Sequence, residues 1–177
     1  MNFLEKNLES IIFKEFEYCQ SRGLDLKPHQ SFTYRQLNLA PFGIPDLIQV
    51  GRGHEEDTLK IRIIECKRNI IDATTYGQAA RYQVALSRIF GCCCSGMEFE
   101  KVLIGQRVSD KNDFWGIVAA DSNCTVYTYA YQADGIRFKR QYNNSRFGLA
   151  EASQIFRPSV DRLFRDAAAI LPLLIEE

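Results

Sequence analysis

The sequence predicts an α/β (α+β) fold, a central mixed β-sheet flanked by helices in one domain spanning residues 1–177, and three observations predict it. Runs with helical apolar spacing stand near the start, the middle and the end of the chain. Between them lie short apolar or alternating runs of strand length, bounded by turn residues. No internal repeat, low-complexity tract or change of composition marks a linker, and 177 residues suit a single core.

Taken in order, Phe3 to Gln20 places Leu4, Leu8, Ile11, Ile12 and Phe16 at helical spacing, and Arg22-Gly23 supplies a stop. Gln30 to Asn38 alternates as a strand does, and Leu47 to Val50 forms a second short strand after the Gly43-Ile44-Pro45 break. The polar, glycine-bearing stretch Gly51 to Asp57 reads as a hairpin loop feeding Leu59 to Cys66, a mostly buried strand built on Ile61, Ile63 and Ile64. Thr74 to Phe90, free of proline and ending at Gly91, is the second major helix. Four strand-like runs follow, Lys101 to Val108, Phe114 to Ala120, Thr125 to Tyr131 and Gly135 to Tyr142. A terminal helix is expected over Ser159 to Leu174, with Asp161 in its first turn.

Composition removes several function classes. Apolar residues at 46% and charged residues at 25% exclude disorder as the dominant state. Lys plus Arg (22) balance Asp plus Glu (22), so affinity for nucleic acid has to come from local patches and bound metal rather than net charge. Acidic residues interrupt the opening Met1-Asn2-Phe3-Leu4-Glu5-Lys6, and no run approaches the ~18 apolar residues of a membrane span, so a cytoplasmic protein without a membrane partner is expected. Six cysteines without a CxxC pair give neither a zinc site nor a disulfide framework; the adjacent Cys92-Cys93-Cys94 read as packing at a helix end. His29 and His54 are isolated from ligand partners, and no Gly-x-Ser-x-Gly nucleophile elbow occurs.

The chemistry concentrates in Gly43-Ile44-Pro45-Asp46-Leu47-Ile48 and Ile63-Ile64-Glu65-Cys66-Lys67. Residues i and i+2 of a strand share a face, so Glu65 and Lys67 emerge together while Cys66 points into the opposite layer. If the strand of Asp46 lies antiparallel and adjacent, its carboxylate meets Glu65, and two hard carboxylates at close range favour a divalent ion, Mg2+ or Mn2+. Such an ion binds a phosphate oxygen and acidifies water, with Lys67 orienting or activating that water.

Pro45-Asp46 and Glu65-Cys66-Lys67 together resemble the two halves of the PD-(D/E)XK, or restriction-endonuclease-like, superfamily. Gln78-Ala79-Ala80-Arg81-Tyr82 looks like the Gln-x-x-x-Tyr motif of its RecB-like members, and Glu5-Lys6-Asn7-Leu8-Glu9 is similar to their opening acidic helix. The resemblance implies a restriction-endonuclease-like core and Mg2+- or Mn2+-dependent hydrolysis of DNA phosphodiesters, with RNA left open as substrate. It implies Asp46, Glu65 and the Cys66 carbonyl as metal ligands and Lys67 on the water. Glu5 assists, with Glu9 second to it, and Gln78 and Tyr82 position substrate. A homodimer or a larger DNA-processing or defence assembly is the setting it suggests, and the alternative is the same fold without turnover, as a binding or regulatory module. Arg68, Arg81 and Arg88 read as solvated rather than as a phosphate-binding rim. Tyr127, Tyr129 and Tyr131 share one sheet face and read as packing beneath the terminal helix rather than as a base-stacking surface.

Overall fold

The opening apolar run folds as two helices, α1 (Glu5–Lys14) and α2 (Phe16–Ser21), rather than as one. The backbone leaves the helical region at Glu15 (φ −124°, ψ 42°), yet Leu8 and Ile12 before the break and Cys19 after it are buried in the same core. The computed structural model describes residues 5–26, 31–53, 58–91, 96–110 and 112–141. The terminal helix expected over Ser159 to Leu174, the histidines and Cys92 to Cys94 lie outside them.

The chain continues through β1 (Ser31–Arg35), β2 (Leu47–Arg52), β3 (Thr58–Cys66), the short β4 (Ile70–Ile71) and α3 (Ala73–Phe90). A capping box starts α3: the Asp72 carboxylate accepts the Thr75 N–H at 3.0 Å while the Thr75 hydroxyl faces the Asp72 N–H. Then come β5 (Gly96–Gly105), β6 (Arg107–Val108), α4 (Asn112–Ala120), β7 (Cys124–Gln132) and β8 (Gly135–Gln141). The strand expected over Phe114 to Ala120 is therefore a helix, α4. A short run of aromatic and β-branched residues fits a buried strand and a buried helix equally well.

Six strands form one mixed sheet in the order β1-β2-β3-β5-β7-β8. β1, β2 and β3 are successive antiparallel neighbours, β3-β5 and β5-β7 are parallel, and β7-β8 closes as an antiparallel hairpin. A second sheet pairs β4 with β6. Contacts divide the chain into two compact units, Met1–Asp110 with Asn123–Tyr142, and Lys111–Ser122 with Asn143–Glu177; the six-stranded sheet belongs to the first and α4 to the second.

Side-chain alternation gives the sheet two faces. Ile64 and Cys66 of β3, Val102 and Ile104 of β5 and Tyr127 and Tyr129 of β7 pack with Leu8, Ile12 and Cys19 of α1 and α2. Tyr127 and Tyr129 are thus core residues under the opening helices. The opposite face carries Ile61, Ile63 and Glu65, and Lys101, paired in register with Ile63, donates from Nζ to Gln83 Oε1 of α3 at 2.5 Å. The α3 helix therefore covers that face. No helix among the described residues is long and apolar enough to cross a membrane.

Candidate metal-dependent active site

The ladder between β2 and β3 ends with Leu47 opposite Ile64. One step further the same register sets Asp46 opposite Glu65, on the α3 face. The Asp46 side chain closes the ladder itself: its Oδ2 accepts the Cys66 N–H at 2.8 Å, while its carbonyl accepts the Gln36 N–H at 3.0 Å. Gly43 makes the approach to this turn possible, with φ at +112° and space for a Cβ only 3.2 Å from the Tyr82 ring.

Lys67 follows directly on β3, and its N–H donates to the Ile104 carbonyl at 2.6 Å. Its Nζ lies 3.4 Å from Glu65 Oε2 and 3.7 Å from Glu5 Oε1. The other Glu5 oxygen accepts the Arg68 N–H at 3.3 Å, so the start of α1 is tied to the end of β3. Three segments distant in sequence, carrying Glu5, Asp46 and the Glu65/Lys67 pair, are thereby brought to one end of the sheet.

Their electrostatics are those of a site short of positive charge. Glu65 is 2% exposed, and burial first, then the Asp46 charge, push its carboxyl up to about 8 against the opposing Lys67. Burial likewise pushes Asp46 up to about 6, although the Cys66 N–H and Lys67 stabilise its anion. Burial works to lower Lys67, but Glu65, Glu5 and Asp46 outweigh it and hold the ammonium charged. The Cys66 thiol, buried and surrounded by carboxylates, is raised well above its ordinary range and is inert core.

The remaining motif residues divide. Glu9, 1% exposed, pairs with Arg35 Nε and accepts from Gln36 Nε2 at 3.1 Å, so it ties α1 to the end of β1, whereas Glu5 reaches Lys67. Tyr82 is 4% exposed and donates its hydroxyl to the Ile44 carbonyl at 3.2 Å, which places it beneath the Asp46 turn as a support. Gln78 is half-buried one helical turn earlier, and no hydrogen bond joins it to Asp46, Glu65 or Lys67 among the described residues. Sequence reasoning missed Arg35 and Gln36, which fix Glu9, and the hydroxyl of Tyr129, which donates to the Arg68 carbonyl at 3.0 Å and braces the chain just past Lys67. The signal for the first pair was slight, two polar residues where a strand pattern fades.

The donor set fits a hard divalent ion. Glu65 Oε1 is buried without a hydrogen-bond partner, the position an incoming cation would satisfy. Among the described residues no three Asp, Glu, His or Cys side chains converge on a point, so the protein would offer the Asp46 and Glu65 carboxylates and leave other positions to backbone oxygen and water. In comparisons with protein-family models, curated proteins and solved structures, nothing matches this chain.

Proposed function

We propose that the protein is a Mg2+- or Mn2+-dependent deoxyribonuclease with a restriction-endonuclease-like core. The observation that carries the reading is the convergence of Asp46 and Glu65 at the end of one antiparallel hairpin, with Glu65 Oε1 unpartnered and the Lys67 ammonium beside it. The architecture around them, two opening helices, three antiparallel strands, the short β4, a helix and a parallel strand in one mixed sheet, supports it.

Asp46, Glu65 and the Cys66 carbonyl would hold the ion, which supplies Lewis acidity toward a phosphate oxygen and generates a nucleophile from water. Lys67, held charged in the metal-free protein by Glu65, Glu5 and Asp46, would orient that water and offset charge building on the phosphate in the transition state. Glu5 and Glu65 both restrain the Lys67 ammonium. Tyr82 and Tyr129 hold the two chain segments that carry the acids and the lysine.

Incubating linear, circular and single-stranded DNA with Mg2+ or Mn2+ tests the reading. Wild type is expected to cut only with the metal, Asp46→Ala to abolish cutting, and Lys67→Ala to lower kcat by a factor of about 10² or more. Metal-independent cutting, or full activity in Asp46→Ala, would refute the assignment.

A further inference from the structure

On the face of the sheet that carries Glu65, α3 packs chiefly over β3 and β5 rather than over the edge strand β1 among the described residues. Tyr34 and Phe32 of β1 stand opposite Ile48 and Val50 of β2, which in turn face Ile63 and Ile61 of β3. Alternation therefore puts both aromatic rings on the face of Glu65. Phe32 is 76% exposed and Tyr34 45%, unlike Tyr127 and Tyr129, whose rings are spent in the core.

Three exposed arginines stand on this face or on the helix that packs over it. Arg52, two residues beyond Val50, is exposed on the same face. Arg81 and Arg88 lie exposed along α3, stacked over Tyr82 at 5.6 Å and over Phe42 at 5.8 Å, on the side that touches the 42–44 segment before Asp46. None of the three is ion-paired among the described residues. Open aromatic rings on the edge strand, with guanidinium groups on the neighbouring strand and on the helix over the same face, suit a chain of bases and phosphates better than a purely apolar partner.

The open rings select the strandedness. In a duplex both faces of each base are covered by its neighbours in the stack, whereas bases splayed from a single strand offer a free face to a ring. Two rings about 6.6 Å apart along β1 suit two such bases. We propose that Phe32 and Tyr34 form a base-stacking shelf, with Arg52, Arg81 and Arg88 holding phosphates, that leads single-stranded DNA toward Asp46 and Glu65. This substrate class rests on the nuclease reading, but the shelf can be tested apart from catalysis.

The experiment is fluorescence anisotropy in EDTA, titrating the full chain into labelled oligo-dT and into a duplex of equal length. Wild type is expected to prefer oligo-dT, and a Phe32→Ala/Tyr34→Ala double variant with unchanged melting to lose about tenfold or more of that affinity. An Arg81→Ala/Arg88→Ala variant should weaken binding and flatten its salt dependence. Equal binding of duplex and single strand, no binding by wild type, or undiminished binding by the aromatic variant would overturn the shelf. So would a wild-type dimer that this variant converts to monomer by light scattering, since β1 would then pair with a second copy. Oligo-dT binding lost in the aromatic variant, together with absence of metal-dependent cleavage by wild type, would instead leave the shelf standing and remove the nuclease reading.

Discussion

At Glu65 the protein keeps a buried carboxylate oxygen without a hydrogen-bond partner, next to a second carboxylate, and this has a thermodynamic signature. The folded state holds the Glu65 proton up to about pH 8, whereas an unperturbed glutamate releases it near 4.5. In that interval this group binds more protons in the folded chain than in the unfolded one, so the Glu65 contribution to the stability of the metal-free protein is fully present below about 4.5 and is lost as pH rises toward 8. Melting followed by circular dichroism in EDTA should accordingly show a lower Tm at pH 8 than at pH 5. Glu65→Gln should raise the pH 8 value by a few degrees and flatten the trend; a wild-type Tm that climbs between pH 5 and pH 8 would contradict the assignment of the shift to Glu65. The residues of this pair were legible because strand alternation alone puts Glu65 and Lys67 on one side and Cys66 on the other. That Asp46 would accept the Cys66 N–H was not, because it depends on a register between β2 and β3 that no local pattern states.

Among the elements, the turn from Leu39 to Asp46 and the helix α3 act as one support, joined by the Tyr82 hydroxyl on the Ile44 carbonyl. Tyr82→Phe keeps the ring against Gly43 and deletes only that hydrogen bond, so it should cost about 1 kcal/mol of stability in a denaturant titration. Its effect on cleavage should fall on kcat rather than on oligonucleotide affinity; an equal loss of affinity would mean that the hydroxyl meets substrate directly. The motif spacing showed that Gln78 and Tyr82 share a helix face but not which way that face turns, and burial of Tyr82 against the Asp46 turn decides it. Elements with a clear period, β3 and α3, were legible to within one residue, whereas α4 was misread because Phe114 to Ala120 has too few polar residues to show any period. The break at Glu15 escaped notice for the opposite reason, since the apolar stripe continues across it.

For the molecule as a whole, a mixed sheet was legible from the sequence of runs, but its order was not. The parallel neighbours β3-β5 and β5-β7 are joined by long connections, and nothing in the individual strands names their partners. That order is nonetheless what sets the site: it places the β2-β3 hairpin inside the sheet, with α1 and α2 on one face and α3 on the other, so that Asp46 and Glu65 are desolvated and repel each other. A chain with balanced charge has no bulk field, and the proposed chemistry rests on that local concentration. The central claim, that the fold builds a cation site from these two carboxylates, is tested most directly by calorimetric titration of Mn2+ into the metal-free protein at neutral pH. The account predicts binding with proton release, lost in Asp46→Ala and in Glu65→Ala but retained in Gln78→Ala. No binding by wild type, or binding undiminished in both carboxylate variants, would contradict it.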